Sequence, residues 1–112
     1  MSSQTAPTVR IQELVRAKHY RIGLHAVRHM IEEGFDENQL LEAVRGKLQI
    51  MEEYPEESRY LMLGYFHFTL KTISPLHLLC DLSTPHVVDI VTAYIPQRPW
   101  WISPTRRGRD RR

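Results

Sequence analysis

The chain has 112 residues and one cysteine, Cys80, with 42% hydrophobic residues and a formal net charge of +2. That length fits one domain and leaves no room for a second core, and the apolar fraction argues against a disordered body. A lone cysteine excludes an intrachain disulfide and favours a reducing compartment, and no apolar run approaches the roughly 20 residues of a membrane span.

Residues 1–7 are polar, carry no hydrophobic signal core and read as a frayed leader. Val9, Ile11, Leu14 and Val15 then recur at helical spacing, which predicts a first helix from Thr8 to about Lys18. Tyr20, Arg21 and Ile22 make a brief strand before a break at Gly23. Residues 24–33 predict a second helix, with Leu24, Val27, Met30 and Ile31 as its apolar stripe and Gly34 as its left-handed cap. Asp36 and Gln39 form a capping-box pair that opens a third helix, closed by Gly46.

The pattern then changes to strands at 48–54, 60–68, 76–82 and 87–95, joined by short polar linkers. Short connections pair sequential strands antiparallel. The expected fold is therefore α+β, with N-terminal helices packed on an antiparallel sheet of about four strands over residues 8–97. Residues 98–112 hold six arginines against one aspartate, +5, while the rest of the chain has nine basic and twelve acidic residues, −3. This tail reads either as an arm for an anionic partner, nucleic acid or an acidic protein, or as a solvating end.

Six histidines offer the chemistry. His25 lies in the first turn of the second helix, where unpaired amides favour an anion, with Arg28 beside it. His29 shares the face of His25 four residues on, but Ala26 stands where a zinc-protease helix needs glutamate. No metal site is expected, and His29 reads as a solvent-edge side chain. His77 alternates with Leu76, Leu78 and Cys80, so it faces away from the thiol. Alone, it reads first as a half-buried, hydrogen-bonded histidine. Val88, Ile90, Thr92 and Tyr94 are expected on one face of the last strand, with Thr92 and Tyr94 offering two hydroxyls. Metal-free RNA cleavage needs a base, an acid and a cation, and His25, His77, Tyr94 and Arg28 would supply them if they converge, with no cofactor. Arg106, Arg107 and Arg109 would bind RNA, with Trp100 and Trp101 either stacking on bases or clamping the tail.

Several segments then act together: Tyr20 to Ile22, His25 to Met30, Gly46, the Tyr54-Pro55 pair, Leu63 to Tyr65, Pro75 to His77, and Thr92 to Pro96 before the tryptophans and arginines. This ordered set resembles the bacterial domain-of-unknown-function family 4258, which looks related to the RelE and MqsR toxins. The resemblance implies a RelE/MqsR-like fold and the toxin of a type II toxin–antitoxin pair. Its activity would be mRNA cleavage in the cytoplasm. Its partner would be a cognate antitoxin, such as a zinc-finger protein of the MqsA or YgiT type. It assigns the family's histidines to His25 and His77 and its Thr-x-Tyr to Thr92 and Tyr94. His29 stands where family members often carry Arg or Gln. The competing reading is a non-catalytic RNA- or protein-binding module of the same fold.

Overall fold

The computed structural model describes residues 6–97 and 100–108. Three helices, α1 (Ala6–Arg16), α2 (Leu24–Glu33) and α3 (Glu37–Arg45), surround one short strand, β1 (Tyr20–Ile22). Four longer strands follow: β2 (Gln49–Tyr54), β3 (Arg59–His67), β4 (Ile73–Asp81) and β5 (Val88–Tyr94). A hairpin of β6 (Trp101–Ser103) and β7 (Arg106–Arg107) ends the described chain. The fold is α+β, as the switch in periodicity predicts.

The sheet has five strands in the order β1-β5-β4-β3-β2. It is mixed rather than purely antiparallel, because Tyr20 to Ile22 pair parallel with Val88 to Ile90. The helices between β1 and β5 supply the long crossover that a parallel pair requires. The Val88 and Gly23 amides bond to the His19 and Ile90 carbonyls and extend that ladder.

The helix ends follow local chemistry. Asp36 Oδ1 accepts from the Gln39 amide at 2.9 Å and Gln39 Oε1 accepts from the Asp36 amide at 2.8 Å, a closed capping box. Gly34 ends α2 at φ 80°, a conformation that a side chain would resist. Gly64 has a different reason. A Cβ there would lie 2.3 Å from the Ala43 carbonyl oxygen, so α3 rests directly on the β3 backbone.

Ile11, Val15, Leu40, Val44, Met62, Phe66, Leu76, Leu78 and Ile90 fill the core between helices and sheet. Cys80 lies among them, and burial pushes its thiol up to about 12, so it is inert in the folded protein. The apolar stripe expected on α2 is corrected. Ala26 is the buried residue of that helix, whereas Leu24 and Ile31 are 86% and 77% exposed.

Two bulges decide what the other sheet face displays. Leu79 pairs with Thr92 but Cys80 pairs with Ile90, so Val91 is an extra residue. Past it the alternation reverses: Ile90 and Ala93 enter the core, while Thr92 and Tyr94 join Leu79 and His77 on the opposite face. The expectation that Ile90 shares a face with Thr92 and Tyr94 fails for this reason. In β2, Ile50 pairs with Met62 and Glu52 with Leu61, so Met51 is the extra residue and Glu52 turns to the same face as Leu61.

The hairpin covers that face, so part of the segment read as tail is folded structure. Trp101 is buried, and Arg107 Nε and Nη2 each donate to a Glu52 oxygen at 2.7 Å.

Candidate active site

Tyr94, the last residue of β5, is the centre of the candidate site. His77 is its direct partner on β4. The ring centroids lie 5.3 Å apart, edge to face, and His77 Nδ1 is 3.3 Å from the Tyr94 hydroxyl. His77 Nε2 lies 2.6 Å from the Pro104 carbonyl in the hairpin turn. A carbonyl only accepts, so Nε2 carries hydrogen and Nδ1 accepts from Tyr94. Burial favours the neutral ring and holds His77 below the usual histidine pKa, with the Pro104 bond pulling the other way. Trp101 closes over it edge-on at 4.3 Å. Both nitrogens are occupied in this conformation, so His77 orients Tyr94 and anchors the hairpin rather than presenting a nitrogen to substrate.

On the other side of Tyr94 stands His29, its ring centroid 5.9 Å away. His29 and Glu33 are one helical turn apart, and Nδ1 meets Glu33 Oε2 at 2.6 Å. The second Glu33 oxygen accepts from the Ile95 amide at 2.7 Å. Glu33 is thus fixed by the backbone just past β5. In turn it fixes the His29 ring with Nδ1–H directed at the carboxylate, leaving Nε2 for other chemistry. Both side chains are largely covered, at 23% and 16% exposure. A cavity of about 160 Å³ opens here, lined by His29, Glu32, Glu33, Tyr94, Trp100 and Trp101 among others.

A second cavity of about 250 Å³ also borders Tyr94, bounded by Tyr54, Arg59, Leu61, Leu79, Thr92 and Arg107 among others. Arg107 lines it from the hairpin: its guanidinium sits 4.7 Å from the Trp101 ring centroid and couples electrostatically to Tyr94.

The sequence-predicted residues divide accordingly. Tyr94, Thr92, Trp100 and Arg107 line the two cavities. His77 packs beneath the hairpin, against Trp101, which also lines the first cavity. His25 and Arg28 are exposed on α2, and neither cavity is lined by them. Arg106 is exposed in β7, and Arg109 lies outside the described residues. Sequence reasoning missed the dyad. Its trace was the His29-to-Glu33 spacing of four, which places a carboxylate beside an imidazole on one helix face. The His67 ring pairs similarly with Glu42, at 2.6 Å on the surface. Among the described residues no three His, Cys, Asp or Glu are grouped to hold a metal ion, and no helix is long and apolar enough to cross a membrane.

These features define a small α+β domain with a carboxylate-oriented histidine beside a tyrosine in a cleft. The chain belongs to the family "Domain of unknown function (DUF4258)", whose model matches residues 22–95. No curated protein and no solved structure matches the chain. The match includes the His29–Glu33 dyad and Tyr94, and it stops short of the hairpin.

Proposed function

We propose that the protein is a metal-independent endoribonuclease, the toxin of a bacterial type II toxin–antitoxin pair, acting on mRNA in the cytoplasm. The observation that carries this reading is the His29–Glu33 dyad lining the same cavity as Tyr94. An imidazole oriented by a carboxylate can take a proton from a ribose 2′-hydroxyl and return one to the leaving 5′-oxygen. In this reading His29 is the acid–base group, Tyr94 turns its hydroxyl proton from His77 to the phosphate when substrate binds, and Arg107 offsets charge on the phosphorane. His77 positions Tyr94. His25, Arg28 and Arg106, exposed on the surface, contribute to RNA affinity through phosphate contacts. A cognate antitoxin, of the zinc-finger MqsA or YgiT type that the sequence resemblance implies, would occupy the same cleft.

The test is cleavage of RNA, free and on ribosomes, by the purified protein in EDTA, with the products examined for 2′,3′-cyclic phosphate. Intact RNA in both settings would leave the second reading, a non-catalytic RNA- or protein-binding module. That alternative draws on the exposed Leu24 and Ile31 of α2, which give a binding protein an apolar face.

A further inference from the structure

We propose that the cavity beside Thr92 is a guanine-binding site that selects the base next to the phosphate held at Tyr94. The inference deepens the ribonuclease reading, from which it takes RNA as the source of the base.

Leu61 and Leu79 are direct partners on β3 and β4 and form an apolar floor, with Tyr54 and Tyr94 among the bounding residues. Such a surface suits the flat face of a nucleobase, since every base has one. Selectivity has to come from the polar wall. Three of its groups are already engaged: Arg59 with Asp81, Arg107 with Glu52, and the Tyr54 hydroxyl with Glu52. Two are not. Among the described residues nothing pairs with the Glu57 carboxylate or the Thr92 hydroxyl, and both line this cavity.

The free carboxylate decides which base fits. Ionised, it only accepts, through two adjacent oxygens. Guanine alone presents two adjacent donors, N1–H and the 2-amino group, on its Watson–Crick edge. Adenine and cytosine each set a ring-nitrogen acceptor beside their amino group, and uracil has one N–H between two carbonyls. Each of those three would place a lone pair against Glu57. Thr92 can donate or accept and tolerates any edge, so Glu57 is the specificity-determining residue. Tyr94 borders both cavities, so a base seated here carries its phosphate towards His29.

The experiment titrates the full chain with GMP, AMP, CMP, UMP and inosine monophosphate, following the tyrosine resonances by NMR. GMP should bind roughly tenfold or more tightly than the other four, the range of a bidentate base contact. Inosine monophosphate, which lacks only the 2-amino group, is the sharpest comparison. Glu57→Gln should remove the preference for GMP and leave AMP binding unchanged. The exposed turn it occupies carries no packing role, and an unchanged spectrum elsewhere verifies the fold. Equal binding of GMP and AMP, no binding of any nucleotide, or an unaltered GMP preference in Glu57→Gln overturns the site. Selective GMP binding by a protein that leaves RNA intact upholds the site and removes the catalytic reading. Cleavage without any guanine preference does the reverse.

Discussion

Arg107 grips Glu52 through two hydrogen bonds of 2.7 Å, and this contact ties the C-terminal hairpin to the edge strand of the sheet. Arg107 holds Glu52 below the usual carboxylate pKa, while the same guanidinium lies over Trp101. The hairpin is therefore attached at two points: Arg107 on Glu52, and the Pro104 carbonyl on the His77 ring.

Removing the first attachment should loosen the hairpin without unfolding the sheet. Arg107→Ala should lower stability by about 0.5–1 kcal/mol, since the pair is partly exposed and screened. Trp101 emission should shift to the red as the indole gains water. Wild-type protein in high salt should move in the same direction by less. An unchanged emission maximum in Arg107→Ala would show that the hairpin does not depend on this pair.

Acid should weaken the second attachment. The folded pKa of His77 is lowered from 6.5, so the unfolded chain takes up a proton first as pH falls. Its contribution to stability is therefore full above about 6.5, declines below that value, and levels off once the folded pKa is passed. Glu52 adds a separate loss at more acid pH, below its ordinary 4.5, as its carboxylate is neutralised. Urea midpoints at pH 7.5 and pH 5.5 should differ more for the wild type than for His77→Gln. Equal differences would remove His77 as the source.

Gly64→Ala tests the contact between α3 and the sheet. The added methyl meets the Ala43 carbonyl at 2.3 Å, and backbone on both sides leaves no easy relief. We expect a loss of about 1–3 kcal/mol or more, the range for overpacking, read as a lower urea midpoint. Asp36→Ala, which opens the capping box, should cost about 1 kcal/mol.

The dyad makes a catalytic prediction. If His29 is the acid–base group, His29→Ala should slow RNA cleavage by roughly 10²–10⁴-fold. Glu33→Gln keeps an oxygen for the Ile95 amide and should have a smaller effect, with an altered pH profile. His25→Ala should weaken binding more than it lowers the rate at saturating RNA. Full activity of a folded His29→Ala protein would return the search for a catalytic group to His25 and His77.

Much of the fold was legible because its signals are local. The bounds of α2, the Gly34 cap and the Asp36–Gln39 box each depend on residues within a turn of one another. The strands were visible through their β-branched and aromatic runs. What stayed hidden depends on distant partners. Nothing local says that Tyr20 to Ile22 will pair with a strand some 68 residues later, although the Arg21–Asp89 ion pair spans that distance. The apolar stripe of α2 misled because Leu24, Val27 and Ile31 satisfy helical periodicity while the structure buries Ala26. Residues 98–112 looked like tail because a two-residue strand such as β7 has no period to detect. The histidines were found as residue types, but roles for His29 and His77 became readable only with Glu33, Ile95 and Pro104 in place.

The extra residue at Val91 makes the site a matter of strand register as well as of side-chain identity. Pairing Val91 as an ordinary strand residue would leave every letter of β5 intact yet turn Thr92 and Tyr94 into the core and bring Ala93 outward, whereas deleting it would only straighten the strand and keep them on the cleft face. A relative could thus retain the Thr-x-Tyr letters and still lack the cleft if a strand of the same length ran without the bulge. Among related chains, the face on which the tyrosine stands, set by strand length and bulge together, should forecast shared chemistry better than the tyrosine alone.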